Sequence, residues 1–336
     1  MTLRVKPLLG MLGVVAVLAV PDAAMARPKP PVGRVIYVQN GAVWRAPLAM
    51  LLARYAKARP RKRAKRPRPQ KPERLLKLPP AQRRVTRLEA AGDGSALLLE
   101  FGRNVAWIDL GADPRPPPVY LPCRGRARLS PGGELVLCAS RTGNGTAVYR
   151  LRPHLDGSLL AGFDPSATAL ADLRGERVVT IDHDALWSSS IAQPEQRTKV
   201  APHVPASALS VAPDGRRAVG RYREGERGDS LFGFRLDGQA ARRKLGPGQA
   251  VAWSADSAWL AIFDGRTACA VRAVGGEYKC WDKYRPLAID RDGSWVLLAR
   301  PPRGRRLNLF LGRMAGPHPE KPLQLLRGAT AATLVP

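Results

Sequence analysis

The chain has 336 residues, with 55 lysines and arginines against 27 aspartates and glutamates and a formal net charge of +28. A charge of this size draws a protein to polyanions of any kind but says nothing about its fold. The length suits one large all-β domain. The apolar run at 8–20 is too short to cross a bilayer comfortably as a mature anchor.

Residues 1–26 have the parts of a secretory signal: a basic start with Arg4 and Lys6, an apolar run, and the small-residue end Ala24-Met25-Ala26. We therefore expect a mature chain of residues 27–336 that is periplasmic or secreted and has no transmembrane segment. An uncleaved signal that acts as a membrane tether is the alternative.

A short unit recurs along the chain: an apolar strand, a turn that contains glycine, and a second apolar strand. The turns align at intervals of 36 to 42 residues, on Gly94, Gly133, Gly175, Gly215, Ser257 and Gly293. A period in this range is typical of four-stranded propeller blades. A third strand follows in each repeat, and six of seven copies have an aromatic near its start: Trp44, Trp107, Tyr149, Trp187, Phe232 and Phe310. We interpret these aromatics as packing between blades rather than as a ligand cage.

The repeats predict an all-β fold, a seven-bladed β-propeller of four-stranded antiparallel blades, with six or eight blades as alternatives. The first repeat lacks an inner strand, and the apolar segment 331–335 follows the last complete repeat. We predict that this segment pairs beside 35–39 and closes the ring, because closure removes exposed strand edges. The predicted blades are 34–80 with 331–336, 85–122, 126–162, 166–204, 207–247, 249–284 and 287–327.

The clearest repeat combines Ala212-Pro213-Asp214-Gly215 with the later strand Leu231-Phe232-Gly233-Phe234-Arg235-Leu236-Asp237-Gly238. This pair of motifs resembles the repeats of TolB-type, WD-repeat-like β-propellers, and the resemblance covers nearly the whole mature chain. The chain differs from TolB itself in having seven predicted blades and no separate N-terminal α/β domain. The resemblance implies a periplasmic propeller that binds a protein partner.

One segment is exceptional in charge: residues 54–74 hold eleven lysines and arginines, four prolines and one acid, Glu73. Like charges repel and proline disfavours both helix and ladder, so we predict a disordered basic insertion on the same side of the ring as the turns. The residues expected to bind anionic surfaces are Arg59, Arg61, Lys62, Arg63, Lys65, Arg66 and Arg68. A solvated insertion without function is an equally weighted alternative.

Four cysteines in an exported chain allow three disulfide pairings. Cys123 and Cys138 flank one predicted hairpin, and Cys269 and Cys280 flank another. Antiparallel neighbours bring Cβ atoms close to bridging distance, so we predict the bridges Cys123–Cys138 and Cys269–Cys280. No C-x-x-C motif is present, and neither pair resembles a zinc site.

A search for catalytic chemistry finds one candidate, Asp182-His183-Asp184, which we interpret as a polar hairpin turn because alternate strand residues point to opposite sides. The sequence has no G-x-S-x-G elbow, S-x-x-K motif or phosphate-binding loop. We therefore expect no catalytic, metal-binding or cofactor-binding residues. An enzyme of metal-dependent lactonase or quinoprotein type is the alternative. Nucleic acid is disfavoured as a partner, because Tyr55 is the only aromatic beside the basic run.

These observations favour a non-catalytic exported propeller that acts as a scaffold. Its expected partner is another envelope protein or an anionic envelope component.

Overall fold

In the computed structural model the described residues are 33–55, 71–80, 84–102, 104–140, 146–151, 158–163, 170–174, 177–182, 185–201, 208–223, 229–236, 243–300, 306–314 and 321–335. All of them belong to one structural unit, Pro31–Pro336, and the predicted signal lies outside them. No helix among them is long and apolar enough to cross a membrane.

Within these residues the strands form seven four-stranded antiparallel sheets. The chain is therefore a seven-bladed β-propeller, as predicted, and the alternatives of six or eight blades are excluded. In blades two to seven, four consecutive strands run from the innermost to the outermost position. Their bounds are β4 (Arg87–Ala90), β5 (Ala96–Phe101), β6 (Asn104–Asp109) and β7 (Val119–Leu121) in blade two; β8 (Cys123–Leu129), β9 (Leu135–Ser140), β10 (Thr146–Arg150) and β11 (Ser158–Phe163) in blade three; β12 (Leu170–Arg174), β13 (Arg177–Asp182), β14 (Ala185–Ser190) and β15 (Arg197–Ala201) in blade four; β16 (Ala208–Val211), β17 (Arg217–Arg223), β18 (Asp229–Arg235) and β19 (Arg243–Pro247) in blade five; β20 (Gln249–Trp253), β21 (Trp259–Phe263), β22 (Thr267–Arg272) and β23 (Tyr278–Asp282) in blade six; and β24 (Arg285–Ile289), β25 (Trp295–Arg300), β26 (Leu307–Arg313) and β27 (Leu323–Ala329) in blade seven.

Blade one is assembled from both ends of the described chain. Its strands are β1 (Arg34–Gln39), β2 (Ala42–Pro47), β3 (Glu73–Lys77) and β28 (Ala331–Val335), with a helix α1 (Leu48–Tyr55) between β2 and β3. β28 pairs antiparallel with β1, with Arg34 opposite Val335 and Val38 opposite Ala331. The predicted closure of the ring by the C-terminal strand is confirmed.

The turns between the first and second strands have the backbone conformation that the repeat requires. Gly94, Gly133, Gly215 and Gly293 have φ between +67° and +77°, and Ser257 has φ of +61°. Glycine adopts this left-handed region without the steric cost that a Cβ brings. At Gly293 a Cβ would also collide with the ring of Trp259 in the preceding blade. The recurring glycine is therefore required by the turn and, at Gly293, also by a close contact between blades.

The third-strand aromatics occupy two environments. Trp107 and Tyr149 are buried, and the Trp107 Nε1 donates to the Gly133 carbonyl of the next blade at 3.0 Å, which confirms packing between blades. The other four are half-buried: Trp44, Trp187, Phe232 and Phe310. Outer-strand cations lie over two of these, with Arg197 4.8 Å from the centroid of the Trp187 ring and Lys244 5.9 Å from that of Phe232. Such cation–π contacts stabilise exposed aromatic faces.

A bulge recurs beside these aromatics in the pairing of the third and fourth strands. In five blades the register shifts by one residue directly before the aromatic, so the outer strand has one extra residue. The extra residue is apolar each time: Leu75, Leu160, Val200, Leu245 or Leu325. A bulge re-aims a side chain and increases the local twist. Leu75 and Leu325 are buried, so the bulge brings an outer-strand side chain into the core.

Both predicted disulfides are confirmed. Cys123–Cys138 joins β8 to β9 in blade three, and Cys269–Cys280 joins directly opposed residues of β22 and β23 in blade six. Cys123 and Cys138 are buried, whereas Cys269 and Cys280 are half-buried. Disulfides persist in oxidising compartments, so both bridges are consistent with an exported protein.

Truncation after Gly328 tests the closure. The change removes β28, Thr330 and the buried last residue of β27, Ala329, and leaves the inner edge of β1 unpaired. We expect a drop of more than about 10 °C in melting temperature, because each kcal/mol of lost stability lowers the melting temperature of a domain of this size by about 2 °C. Thermal unfolding followed by circular dichroism measures it. A chain that lacks only Pro336, beyond the end of β28, is the control, and an equal melting temperature for both truncations would contradict the closure.

Mild reduction of the native protein tests the difference in burial between the bridges. A reductant must reach the sulfur atoms, so we expect Cys269 and Cys280 to be alkylated first and Cys123 and Cys138 only after unfolding. Peptide mapping at successive times gives the order. Equal rates for the two pairs in folded protein would show that burial does not govern access here.

Candidate functional surface

The basic segment leaves blade one on the face of the ring that carries the turns, which we call the turn face. Arg34 at the start of β1 pairs with both Val335 and Pro47, and the turn residue Gly94 would place a Cβ 3.2 Å from the Val335 Cβ. The Leu48 N–H, at the start of α1, donates to the Gly33 carbonyl at 3.0 Å. This is the face on which the sequence predicts the insertion.

Only the two ends of the segment fall within the described residues. Arg54 and Tyr55 are the last residues of α1, and Glu73 and Arg74 are the first of β3, so helix and strand extend into the range predicted to be disordered. The predicted surface-binding residues, Arg59 to Arg68, lie outside the described residues.

The helix α1 fixes the first end of the segment to the propeller. Its sequence, LAMLLARY, consists mainly of strong helix formers, and Leu48, Leu51 and Leu52 lie on one side at helical spacing. Leu48 and Leu51 are buried in the cluster that includes Leu325 and Ala329 of β27. The helix therefore packs on blade seven, and the chain enters the basic segment from a rigid element.

The second end is held by two ion pairs. Glu73 is 2.6 Å from Arg45 through Oε2 and 2.7 Å from Arg115 through Oε1, and Arg115 also donates to the Leu75 carbonyl at 3.3 Å. Hydrogen bonds from Arg115 and Arg45 hold the pKa of the Glu73 carboxyl below its usual value. Glu73 is the one acid of the segment, and arginines outside the segment neutralise it.

The sequence gives no signal for this arrangement. Arg115 lies in the proline-rich stretch Pro114–Pro118 of blade two, 42 residues from Glu73. Arg45 faces Glu73 because β2 pairs with β3 across the whole insertion. Both contacts depend on which strands become neighbours.

The candidate Asp182-His183-Asp184 is described only in part. Asp182 ends β13 and pairs with Ala185 at the start of β14, so two residues connect the strands, as expected for a tight hairpin. His183 and Asp184 lie outside the described residues. Among the residues that the structure describes, no group of three histidine, cysteine or acidic side chains could hold a metal ion.

The turn face is joined from blade to blade by hydrogen bonds between turns. The Gly92 N–H donates to the Pro131 carbonyl at 2.8 Å, and the Asp256 N–H donates to the Arg291 carbonyl at 3.1 Å. The Asp214 N–H donates to the Ser257 hydroxyl at 2.9 Å. These contacts fix neighbouring blades at the face where the basic segment begins.

One of these turns contains a partly buried carboxylate that the sequence analysis did not identify. Asp290 accepts the Trp295 N–H at 2.9 Å, the capping role that Ser130 and Ser254 have in blades three and six. Burial raises the pKa of Asp290 to about 7, and the nearby Asp292 and Asp256 carboxylates add to the shift. The cap therefore carries a proton at mildly acidic pH.

No protein-family model matches the chain, and no curated protein matches it. Several solved structures share the fold. A Bacteroides uniformis protein provisionally assigned as a 6-phosphogluconolactonase aligns at 12% identity over 90% of this chain and 99% of its own, with a TM-score of 0.54. A functionally unknown protein from Desulfotomaculum acetoxidans aligns at 12% identity over the same shares, with a TM-score of 0.52. At this identity the likeness shows the propeller fold alone.

The substitution Asp290→Ser tests the raised pKa. The parent keeps the Asp290 proton in the folded state up to about pH 7, whereas the unfolded chain releases it near pH 4, so its folding stability falls as pH rises between these values. Serine keeps the cap without the charge. Between pH 4 and pH 8 we expect the free energy of unfolding of the parent to fall by roughly 1–2 kcal/mol more than that of Asp290→Ser. This value is reduced for the solvent screening of a partly exposed group.

Urea unfolding at pH 4, 6 and 8 measures the difference. Asp93→Asn removes an exposed carboxylate from the turn of blade two and is the control for loss of charge. Parallel pH profiles for the parent and Asp290→Ser would refute the prediction.

Proposed function

We propose that this chain is a non-catalytic, exported propeller of the TolB-type repeat family that binds an anionic component of the cell envelope through the basic segment. The two disulfides support an oxidising compartment. Nothing in the described residues favours the alternative of a lactonase or quinoprotein.

The observation that carries the proposal is the neutralisation of Glu73. Both carboxylate oxygens of Glu73 are bound to Arg45 and Arg115, and the segment has eleven lysines and arginines and no second acid of its own to balance them. A polybasic segment near an anionic membrane gains about 1 kcal/mol for each charge close to the surface. Even a third of this gain over the eight cations of residues 56–70 gives measurable binding.

The anchoring of both ends supports a tether rather than a free tail. α1 is packed on blade seven, and β3 is held by its ladder to β2 and by Arg115 of blade two. Binding by the segment would therefore bring the turn face of the propeller toward the anionic surface. The opposite face would remain accessible to a second partner.

Sedimentation with liposomes tests the proposal. Replacement of residues 56–70 by a Gly-Ser linker of equal length should weaken binding to anionic liposomes roughly 100-fold, the equivalent of a third of about 8 kcal/mol. The attraction is Coulombic, so binding by the parent should also fall steeply as ionic strength rises from about 0.1 M to 0.5 M.

The matched control keeps the charge and changes the chemistry. It carries lysine in place of Arg59, Arg61, Arg63, Arg66 and Arg68, and it should bind anionic liposomes nearly as well as the parent. A folded Gly-Ser variant that binds as well as the parent would show that the segment is not the tether.

A further inference from the structure

The hairpin that joins β22 to β23 in blade six carries the two most exposed large hydrophobic side chains of the described chain. Val274 is 66% exposed and Tyr278 is 74% exposed. We call residues 271–278 the blade-six hairpin. Beside Val274 its loop contains Gly275 and Gly276, and a Cβ on Gly276 would meet no atom within 4 Å apart from its chain neighbours. The loop therefore faces open space.

The base of the hairpin is rigid. The Arg272 N–H donates to the Glu277 carbonyl at 2.9 Å and closes the loop. The disulfide Cys269–Cys280 joins opposed residues of β22 and β23, two residues from Tyr278. A hairpin that is already ordered presents its side chains to a partner without the entropic cost of ordering a loop on binding.

The blade-six hairpin lies on the turn face. The Ala273 N–H donates at 2.8 Å to the carbonyl of Ala258, the residue that follows Ser257 of the turn. The hairpin joins the third and fourth strands of its blade, as the basic segment does in blade one. Blade seven lies between these two blades, and its exposed Leu323 begins β27 on the same face. A flat surface in front of the turn face would therefore meet both the hairpin and the basic segment.

The hairpin has no net charge that an anionic surface would repel. Its charged residues are Arg272 and Glu277, and the Arg272 Nη1 is 3.1 Å from the Glu277 Oε2. The Arg272 guanidinium also lies 6.0 Å from the centroid of the Trp259 ring, at the start of β21. The one acid of the hairpin is thus paired, and its two apolar side chains remain free to make contacts.

We propose that the blade-six hairpin inserts Val274 and Tyr278 into the interfacial region of a phospholipid bilayer that contains anionic lipids. This inference rests on the proposed binding by the basic segment, and it identifies the anionic component of the envelope as a bilayer. Tyrosine is enriched at membrane–water interfaces, where its ring is buried and its hydroxyl stays in contact with water. Stable attachment to a bilayer takes two signals, such as an apolar anchor together with a polybasic patch.

The shape of the hairpin favours a bilayer over other partners. A soluble polyanion offers charge but no apolar layer that could bury Val274 and Tyr278. A stable protein interface covers about 800 Å² of each partner, around a buried apolar or aromatic centre. A narrow hairpin tip with two apolar side chains offers much less area than this. A fluid, flat surface admits such a tip without a complementary pocket.

Sedimentation of the purified mature protein with vesicles of phosphatidylcholine and phosphatidylglycerol tests the proposal. Val274→Ser/Tyr278→Ser should bind these vesicles roughly 10- to 100-fold more weakly than the parent, because two apolar side chains lose their burial. Its dependence on salt should equal that of the parent, since no charge is removed. Its binding of soluble polyphosphate, which has no apolar layer, should also be unchanged. An equal loss for vesicles and polyphosphate would overturn the proposal.

Two matched controls accompany this variant. Val274→Leu/Tyr278→Phe keeps both positions apolar and should bind the vesicles about as well as the parent. Tyr120→Ser removes an exposed tyrosine from the outer strand of blade two and should also leave binding unchanged. A loss in Tyr120→Ser as large as that in Val274→Ser/Tyr278→Ser would contradict a specific role of the hairpin.

The Gly-Ser replacement of residues 56–70 separates this inference from the function proposed above. A loss of vesicle binding in the Gly-Ser variant, with parental binding by Val274→Ser/Tyr278→Ser, would support the basic segment and overturn insertion of the hairpin. The reverse result would support the hairpin and contradict the basic segment as the tether. Weaker binding in both variants, with a reduced salt dependence in the Gly-Ser variant alone, is the result that we expect.

A fluorescence measurement provides a test that does not depend on the serine variant. Tyr278→Trp adds one indole at the hairpin to the seven tryptophans of the chain. Vesicles with brominated acyl chains should quench this variant more strongly than the parent, and equal quenching would overturn the proposal. A parent that is dimeric in solution and becomes monomeric in Val274→Ser/Tyr278→Ser, with vesicle binding unchanged, would overturn it in favour of contact between two copies of the chain.

Discussion

The pairing of β28 with β1 is the contact on which the rest of the structure depends. In a repeat protein each unit buries its faces only against its neighbours, so an open array would leave the first and last blades uncovered. Pairing of the C-terminal strand with β1 makes blades one and seven neighbours and merges their cores into one cluster, with Val35 and Ala46 beside Leu297 and Leu309. The helix α1 packs into this same cluster, so closure also decides where the basic segment begins.

The turns between the first and second strands meet two requirements at once: their own backbone conformation and close packing against the preceding blade. Their glycines permit left-handed backbone, and they also allow close approach to the preceding blade, as at Gly293 against Trp259. Asp290 departs from the pattern, because a serine in the same place caps the turn without a charge that burial destabilises. Such local conflicts are uncommon in sequences that fold well, and they mark positions where another constraint acts.

The sequence predicted the blades, the closure and both disulfides because each depends on a local or periodic signal. A turn glycine, an alternating strand and two cysteines in one hairpin can be recognised without knowing the neighbours. The helix α1 was missed because its eight residues adjoin a proline-rich basic run. The ion pairs of Glu73 with Arg45 and Arg115 could not be predicted, since they join residues of different strands or blades that only the assembled ring brings together.

The lysines and arginines of the chain lie in two kinds of surroundings. On outer strands such as β15 and β19, Arg197 and Lys244 cover aromatic rings, and charges on an edge strand oppose pairing with another chain. These cations are explained by the fold, and a large net charge alone does not indicate a polyanion ligand. The basic segment differs because two arginines outside it, Arg45 and Arg115, bind its one acid, Glu73. An external anion would therefore meet no competition from a free carboxylate of the segment itself.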